Sequence, residues 1–187
     1  SSRAPHLSEL AEKISEMNVS HSNKLIVGIG SNDGSFLKML KNQGHENVLG
    51  VEPAENCAKL SQQRGISTLN EYFTTETAKR IKNNQGQASV IVCRQVLEHI
   101  FELDKFLKAI DLLLLNEGQL IIEVPDFEKI RERGDFTAIW DQHINYFDTE
   151  SLRSLLHRHD FCIKNSQVVE YGGGSLLAIN TKNGNST

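Results

Sequence analysis

The sequence predicts an α/β domain, a mostly parallel sheet with helices on both faces and an antiparallel hairpin at its C-terminal end. Three observations carry that expectation. Short apolar runs alternate repeatedly with segments of helical spacing, the pattern of a parallel sheet covered on both faces. The last two extended segments are separated only by Tyr171-Gly-Gly-Gly174, too short for a helical crossover, so they must pair antiparallel. The first apolar run, Lys24-Leu-Ile-Val-Gly-Ile-Gly-Ser-Asn-Asp-Gly34, breaks into glycines and small polar residues and resumes as Ser35-Phe-Leu-Lys-Met-Leu40. That is a strand, a tight turn and a helix, a junction at which a small polar ligand can approach the main chain.

The elements follow in order. His6 to Met17 places Leu7, Leu10, Ala11 and Ile14 at helical spacing and reads as a lid or packing helix ahead of the first strand. After the opening strand and helix, Glu46 to Val51 is a short buried strand. Pro53 suits the first turn of a helix running to about Arg64. Ile66 to Leu69 is a third strand, Thr74 to Lys82 a helix, and Ala88 to Cys93 a fourth strand. Leu103, Phe106, Leu107, Ile110, Leu113 and Leu114 mark an amphipathic helix that Gly118 is expected to stop before the strand Gln119 to Val124. Asp148 or Thr149 caps a helix with Leu152, Leu155 and Leu156 on its apolar face, and Phe161 to Glu170 and Ser175 to Asn180 form the hairpin. Residues 1–23 therefore read as a helical lead-in, 24–182 as one domain and 183–187 as a polar tail.

The whole chain bounds the function. Its 187 residues suffice for one substantial core, and 39% apolar with 24% charged residues is a globular composition. A net charge of −4 shows no basic excess to track a phosphate backbone, so nucleic acid is not an expected partner. Apolar runs such as Leu112 to Leu115 are far short of the roughly 20 residues that span a bilayer. No membrane association or signal peptide is expected. Cys57, Cys93 and Cys162 are odd in number and widely spaced, which fits a reducing cytoplasm, and no Cys-x-x-Cys pair seeds a zinc site. No metal is expected: His157 and His159 diverge on a helix and read as solvated surface.

The turn Gly28-x-Gly30-Ser31-Asn32-Asp33-Gly34 approaches the dinucleotide fingerprint, but its third glycine comes one residue late. Taken alone it could be a strand–helix junction that merely needs positive φ. Glu52 changes the balance, because a carboxylate just after the second strand can accept hydrogen bonds from both hydroxyls of a ribose. A nicotinamide dehydrogenase remains a weaker alternative, given the late glycine and the terminal hairpin.

Gly30-Ser-Asn-Asp-Gly34, Gly50-Val-Glu-Pro53, Val96-Leu-Glu-His99, Glu123-Val-Pro-Asp126, Asp141-Gln-His143 with Tyr146-Phe147, and Gly172-Gly-Gly-Ser175 occur in that order. Together they resemble the S-adenosylmethionine-dependent C-methyltransferases of deoxysugar biosynthesis, within the Rossmann-like class I methyltransferases. The resemblance implies a seven-stranded sheet with its last strand antiparallel, S-adenosylmethionine as cofactor and a nucleotide-linked keto sugar as substrate. It places Gly30, Ser31, Asn32, Asp33 and Gly34 along the methionine part of the cofactor and Glu52 with Pro53 at the ribose. It brings Phe73 beside the adenine and Arg94 and Gln95 to the pocket wall. Class I methyltransferases usually carry an acid where this chain has Gly28, and the resembled sugar C-methyltransferases commonly show a tyrosine and a glutamate where it has Trp140 and Gln142. They commonly have a zinc-binding domain before this region and a further domain after it.

Glu98 and His99 follow the fourth strand and His143 lies in the loop after the fifth, all on the edge where open α/β sheets bind ligands. Methyl transfer to carbon needs a base to remove a proton beside a carbonyl, and histidine titrates in the right range. His143 is the expected base with His99 or Glu98 assisting, and Tyr146 or a second histidine the expected donor to the enolate oxygen. The same histidines could instead cap a helix and pack in a loop. Two other functions stay open: a cofactor-binding module that is inactive or needs flanking domains, and an O- or N-methyltransferase acting on another small molecule.

Overall fold

A computed structural model describes residues 6–17, 24–134, 143–171 and 173–183. The elements run α1 (His6–Met17), β1 (Leu25–Ile29), α2 (Ser35–Asn42), β2 (Val48–Val51), α3 (Glu55–Gln63), β3 (Ser67–Leu69), α4 (Thr75–Gln85) and β4 (Ala88–Arg94). A 3-10 turn (Leu97–His99) leads into α5 (Leu103–Leu113), β5 (Leu114–Pro125), α6 (Phe127–Arg133), α7 (Thr149–Arg158), β6 (Phe161–Val169) and β7 (Ser175–Lys182). The seven strands form one sheet in the order β3-β2-β1-β4-β5-β7-β6. Strands β1 to β5 pair parallel; β7 inserts between β5 and β6 and is antiparallel to both. This is the expected mixed sheet with its closing hairpin.

Side chains alternate across the strands and build a core on each face. On one face Ile26, Val48, Val90, Val92 and Ile121 pack against Leu10, Ala11 and Ile14 of α1 and Leu37 and Leu40 of α2. On the other, Val27, Leu49, Ile91, Cys93 and Ile122 meet Ala78 and Ile81 of α4, Phe106, Leu107 and Ile110 of α5, and Leu152 and Leu156 of α7. The chain direction reverses its winding between β1 and β4, which opens a crevice at the C-terminal ends of those strands. No helix among the described residues is long and apolar enough to cross a membrane.

Three local readings need correction. Helix α5 ends at Leu113, and Leu114 is already extended and paired with Ala88, so Gly118 does not stop the helix. Between the pairs Ala88–Leu114 and Val90–Gln119 the register shifts, and the excess chain bulges. A Cβ on Gly118 would lie 2.8 Å from Leu114 Cδ1, so glycine is what lets the bulge fold back. Pro53 precedes the cap residue Ala54 rather than sitting in the first turn of α3. Helix α6, capped by the Asp126 side chain on Glu128 N, was not expected from the sequence at all. For α7 the cap is Asp148, in a reciprocal box with Ser151 worth about 1 kcal/mol.

Candidate functional site

The turn after β1 is tied to β2, since Gly30 N and Ser31 N both donate to Val51 O, at 2.9 and 3.3 Å. Gly30 has φ 62°, and a Cβ there would meet Val96 Cγ2 at 2.4 Å, so only glycine fits. Asn32 is also left-handed, with φ 51°. That conformation aims Asn32 N at Glu52 Oε2 (2.8 Å), while Ala54 N donates to Glu52 Oε1 (2.9 Å). Glu52 is 7% exposed and thus held by two main-chain N–H groups, each of its oxygens keeping one lone pair for a ligand.

Asp33 Oδ1 accepts from Ser35 N at 3.1 Å, and Arg64 lies 2.6 Å from its other oxygen. Burial pushes the Asp33 carboxyl up, but the bonds from Ser35 and Arg64 outweigh it and hold it below the usual carboxylate range. Gly34, with φ 72°, is where the expectation and the structure part. It heads α2 against Ser61 and does not line the cavity.

The crevice is a cavity of about 680 Å³. Gly30, Ser31, Asn32, Asp33, Glu52 and the exposed Pro53 line one side of it. Phe73 lines another part while packing edge-on to Phe106, with ring centroids 5.6 Å apart, so it is both core and wall. Arg94 and Gln95 close the β4 end. Arg94 Nε donates to Glu123 Oε2 at 2.6 Å, and Gln95, left-handed with φ 53°, donates from Nε2 to Ser175 Oγ at 3.1 Å. Sequence reasoning missed several walls: Leu7 of α1, Phe36 of α2, the exposed Tyr72, and Tyr171 before β7. Only the amphipathic pattern of α1, read as a lid, hinted at any of them.

Beyond β4 the polar edge assembles. His99 lines the cavity, and its ring lies 5.0 Å from that of His143 and 62° from its plane. The His143 ring lies 6.3 Å from that of Tyr146, which in turn sits 5.2 Å from Phe127. Asn145 fixes this loop: its Nδ2 donates to Leu97 O (3.1 Å) and Ile100 O (2.7 Å), and Ile144 N and Asn145 N both donate to Glu98 O. The expected residues Glu98, His99, His143 and Tyr146 therefore meet: His99 lines the cavity, Glu98 is buried, and His143 and Tyr146 are half-buried beside His99. Glu98 is 1% exposed, and among the described residues neither carboxylate oxygen has a hydrogen-bond partner. Burial raises its pKa to about 7, against a smaller lowering by its own main chain and by His99, which lies 3.9 Å away.

One donor atom each from Glu98, His99 and His143 lies within 4.8 Å of the others, a spacing a metal ion could tighten. Cys93 is fully buried beneath them, its thiol pushed up by burial and by the Glu98 charge, and is no nucleophile. His159 is not simply solvated: its Nε2 lies 2.7 Å from Asp104 Oδ1. Trp140, Asp141, Gln142 and Gly172 lie outside the described residues.

Comparison with known proteins agrees with the fold. A family profile described as a methyltransferase domain matches residues 4–166. The C-methyltransferase NovU of Streptomyces niveus is 30% identical over 155 residues, covering 83% of this chain. The chain spans only 37% of that relative's length. Magnesium protoporphyrin IX methyltransferase from Synechocystis PCC 6803, solved with bound S-adenosylhomocysteine, superposes with a TM-score of 0.70 at 14% identity, covering 94% of this chain and 83% of that one. The Burkholderia thailandensis 1,6-didemethyltoxoflavin-N1-methyltransferase, solved with 1,6-didemethyltoxoflavin and S-adenosylhomocysteine, gives 0.67 at 19% identity, covering 94% and 78%. The chain belongs to the methyltransferase-domain family and has the Rossmann-like fold of the class I S-adenosylmethionine-dependent methyltransferases.

Proposed function

We propose that the chain is the catalytic core of an S-adenosylmethionine-dependent methyltransferase that methylates carbon in a small molecule, a nucleotide-linked keto sugar. The observation that carries this reading is the convergence of Glu98, His99, His143 and Tyr146 beside a crevice whose floor is the Gly30–Glu52 cradle. The residues suit the cofactor. A Cβ at Gly30 would strike Val96, so the turn needs its glycine, and Glu52 keeps two lone pairs for two ribose hydroxyls. When bound, S-adenosylmethionine supplies an electrophilic methyl group on sulfonium.

The protein's own residues do the rest. Glu52 accepts from the ribose, and Phe73 with Tyr72 offers aromatic surface to the adenine. His143 removes the proton from the carbon beside the sugar ketone, and Tyr146 or His99 donates a hydrogen bond to the oxygen on which negative charge develops. The electron pair freed on carbon forms the new bond to the methyl group, while the pair of the old carbon–sulfur bond stays on sulfur. The proton leaves through His143, with the Glu98 carboxyl facing the histidine pair as its reserve.

Calorimetric titration with S-adenosylmethionine followed by a turnover assay on nucleotide-linked keto sugars tests this reading. His143→Ala is expected to lower turnover about a hundredfold or more with cofactor affinity intact. Unchanged turnover would remove His143 from the mechanism. A second reading is favoured by two facts: Gly28 stands where class I methyltransferases usually carry an acid, and the chain spans 37% of its C-methyltransferase relative. It is a cofactor-binding core that needs flanking domains to act, and binding without transfer on any acceptor supports it. Methyl transfer to oxygen or nitrogen, seen by product analysis, would replace the carbon acceptor alone.

A further inference from the structure

We infer that Arg94 is the specificity residue for the cofactor's methionine end, its guanidinium clamping the α-carboxylate. The inference rests on the proposed cofactor reading. Arg94 ends β4 on the face covered by α1 and α2, and its guanidinium carbon lies 5.5 Å from the centroid of Phe36 and 5.9 Å from that of Tyr171. Two rings thus hold the planar group between them. One edge is committed. Nε donates to Glu123, which is fully buried and also faces His6 Nε2 at 3.3 Å and Gln95 Nε2 at 3.5 Å. The other edge, carrying the terminal N–H groups, has no hydrogen-bond partner among the described residues, although the Arg94 side chain is only 17% exposed and lines the cavity. A guanidinium oriented by a buried carboxylate and offering its second edge to a pocket matches a bidentate carboxylate.

The sheet order says which carboxylate. Glu52 directly follows β2 and Arg94 ends β4, with β1 and its turn between them. Two strand spacings separate them, about 10 Å. A nucleoside held by Glu52, with its base towards Tyr72 and Phe73 beyond β3, extends its amino-acid arm across the β1 turn towards β4. The Gly28 departure then gains a purpose. Gly28 pairs with Val92, two residues before Arg94 on the same face, and a Cβ there would crowd Leu37 at 3.2 Å. An acid at position 28 would bring a further carboxylate to the cavity that Gly28 and Arg94 both line. Glycine leaves that charge for the ligand.

Titration calorimetry with S-adenosylmethionine and with decarboxylated S-adenosylmethionine, which keeps the sulfonium and the amine, tests the clamp. The wild type is expected to bind the carboxylate-bearing ligand roughly 30-fold tighter or better. Removing Arg94 alone strands the buried Glu123 charge, so the informative variant pairs Arg94→Met with Glu123→Gln. It should lose affinity for S-adenosylmethionine by a similar factor and bind the decarboxylated form as the wild type does. Equal loss for both ligands would mean a structural role, and no loss, or no preference in the wild type, would equally overturn the assignment. A wild type that binds neither ligand would instead overturn the cofactor reading itself.

Discussion

The Glu98 carboxyl is buried without a hydrogen-bond donor among the described residues, so its ionised form is the costly one. Its pKa of about 7 in the fold compares with an ordinary value of 4.5 once unfolded. A raised pKa means that the stability this group contributes is fully present below about pH 4.5 and is lost as pH rises through about 7. Glu98→Gln keeps the shape and removes the charge. Its melting temperature relative to wild type is therefore expected to climb between pH 4.5 and 7 and to level off above. A difference that does not change with pH would show that burial does not tune this carboxyl. Such a carboxyl beside two histidines can hold a proton near neutrality, which a surface glutamate cannot. The sequence marked Glu98 and His99 by position, but burial depends on what packs above them, and that was not legible.

Among the elements, the segment ahead of α7 is tied to the turn after β4 by two main-chain bonds to Glu98 O and by one side chain. Asn145 donates to two carbonyls of the turn after β4, and thereby sets the distance between His143 and His99. Asn145→Ala removes both bonds and leaves the carbonyls of Leu97 and Ile100 short of a donor. Turnover should fall tenfold or more, since small misplacements of a base are costly, while affinity for S-adenosylmethionine stays within about twofold. Wild-type turnover would show that the loop is held by other means. The same comparison explains what pattern reading can and cannot find. Strand and helix order was legible because burial on both faces imposes periodicity. The end of α5 was not, because Leu112 to Leu115 satisfies helix and strand alike, and the register against Ala88 decides between them. Asn145 carries no local signal at all: its partners lie more than 40 residues away.

At the scale of the molecule, the cradle and the wall come from distant parts of the chain. His6 of α1, Arg94 of β4, Glu123 of β5 and Tyr171 before β7 meet in one cluster. No spacing rule links those positions, whereas Gly30 and Glu52, both fixed by the β1–β2 pairing, were found from the motif. The assembled turn is also expected to discriminate between nucleotide cofactors. Asp33 sits at the N-terminus of α2, accepts from Ser35 N and is held ionised by Ser35 and Arg64. In a dinucleotide site that helix end would meet a pyrophosphate; here it already holds a carboxylate. S-adenosylmethionine carries a positive sulfonium and no phosphate. Ligand at a hundred times its Kd adds about 2.7 kcal/mol to stability, which for a chain of this size raises Tm by roughly 5 to 10 °C. S-adenosylmethionine should give that shift by differential scanning fluorimetry and NAD at the same concentration should give none. A shift with NAD, or none with millimolar S-adenosylmethionine, would separate the fold from the function proposed for it.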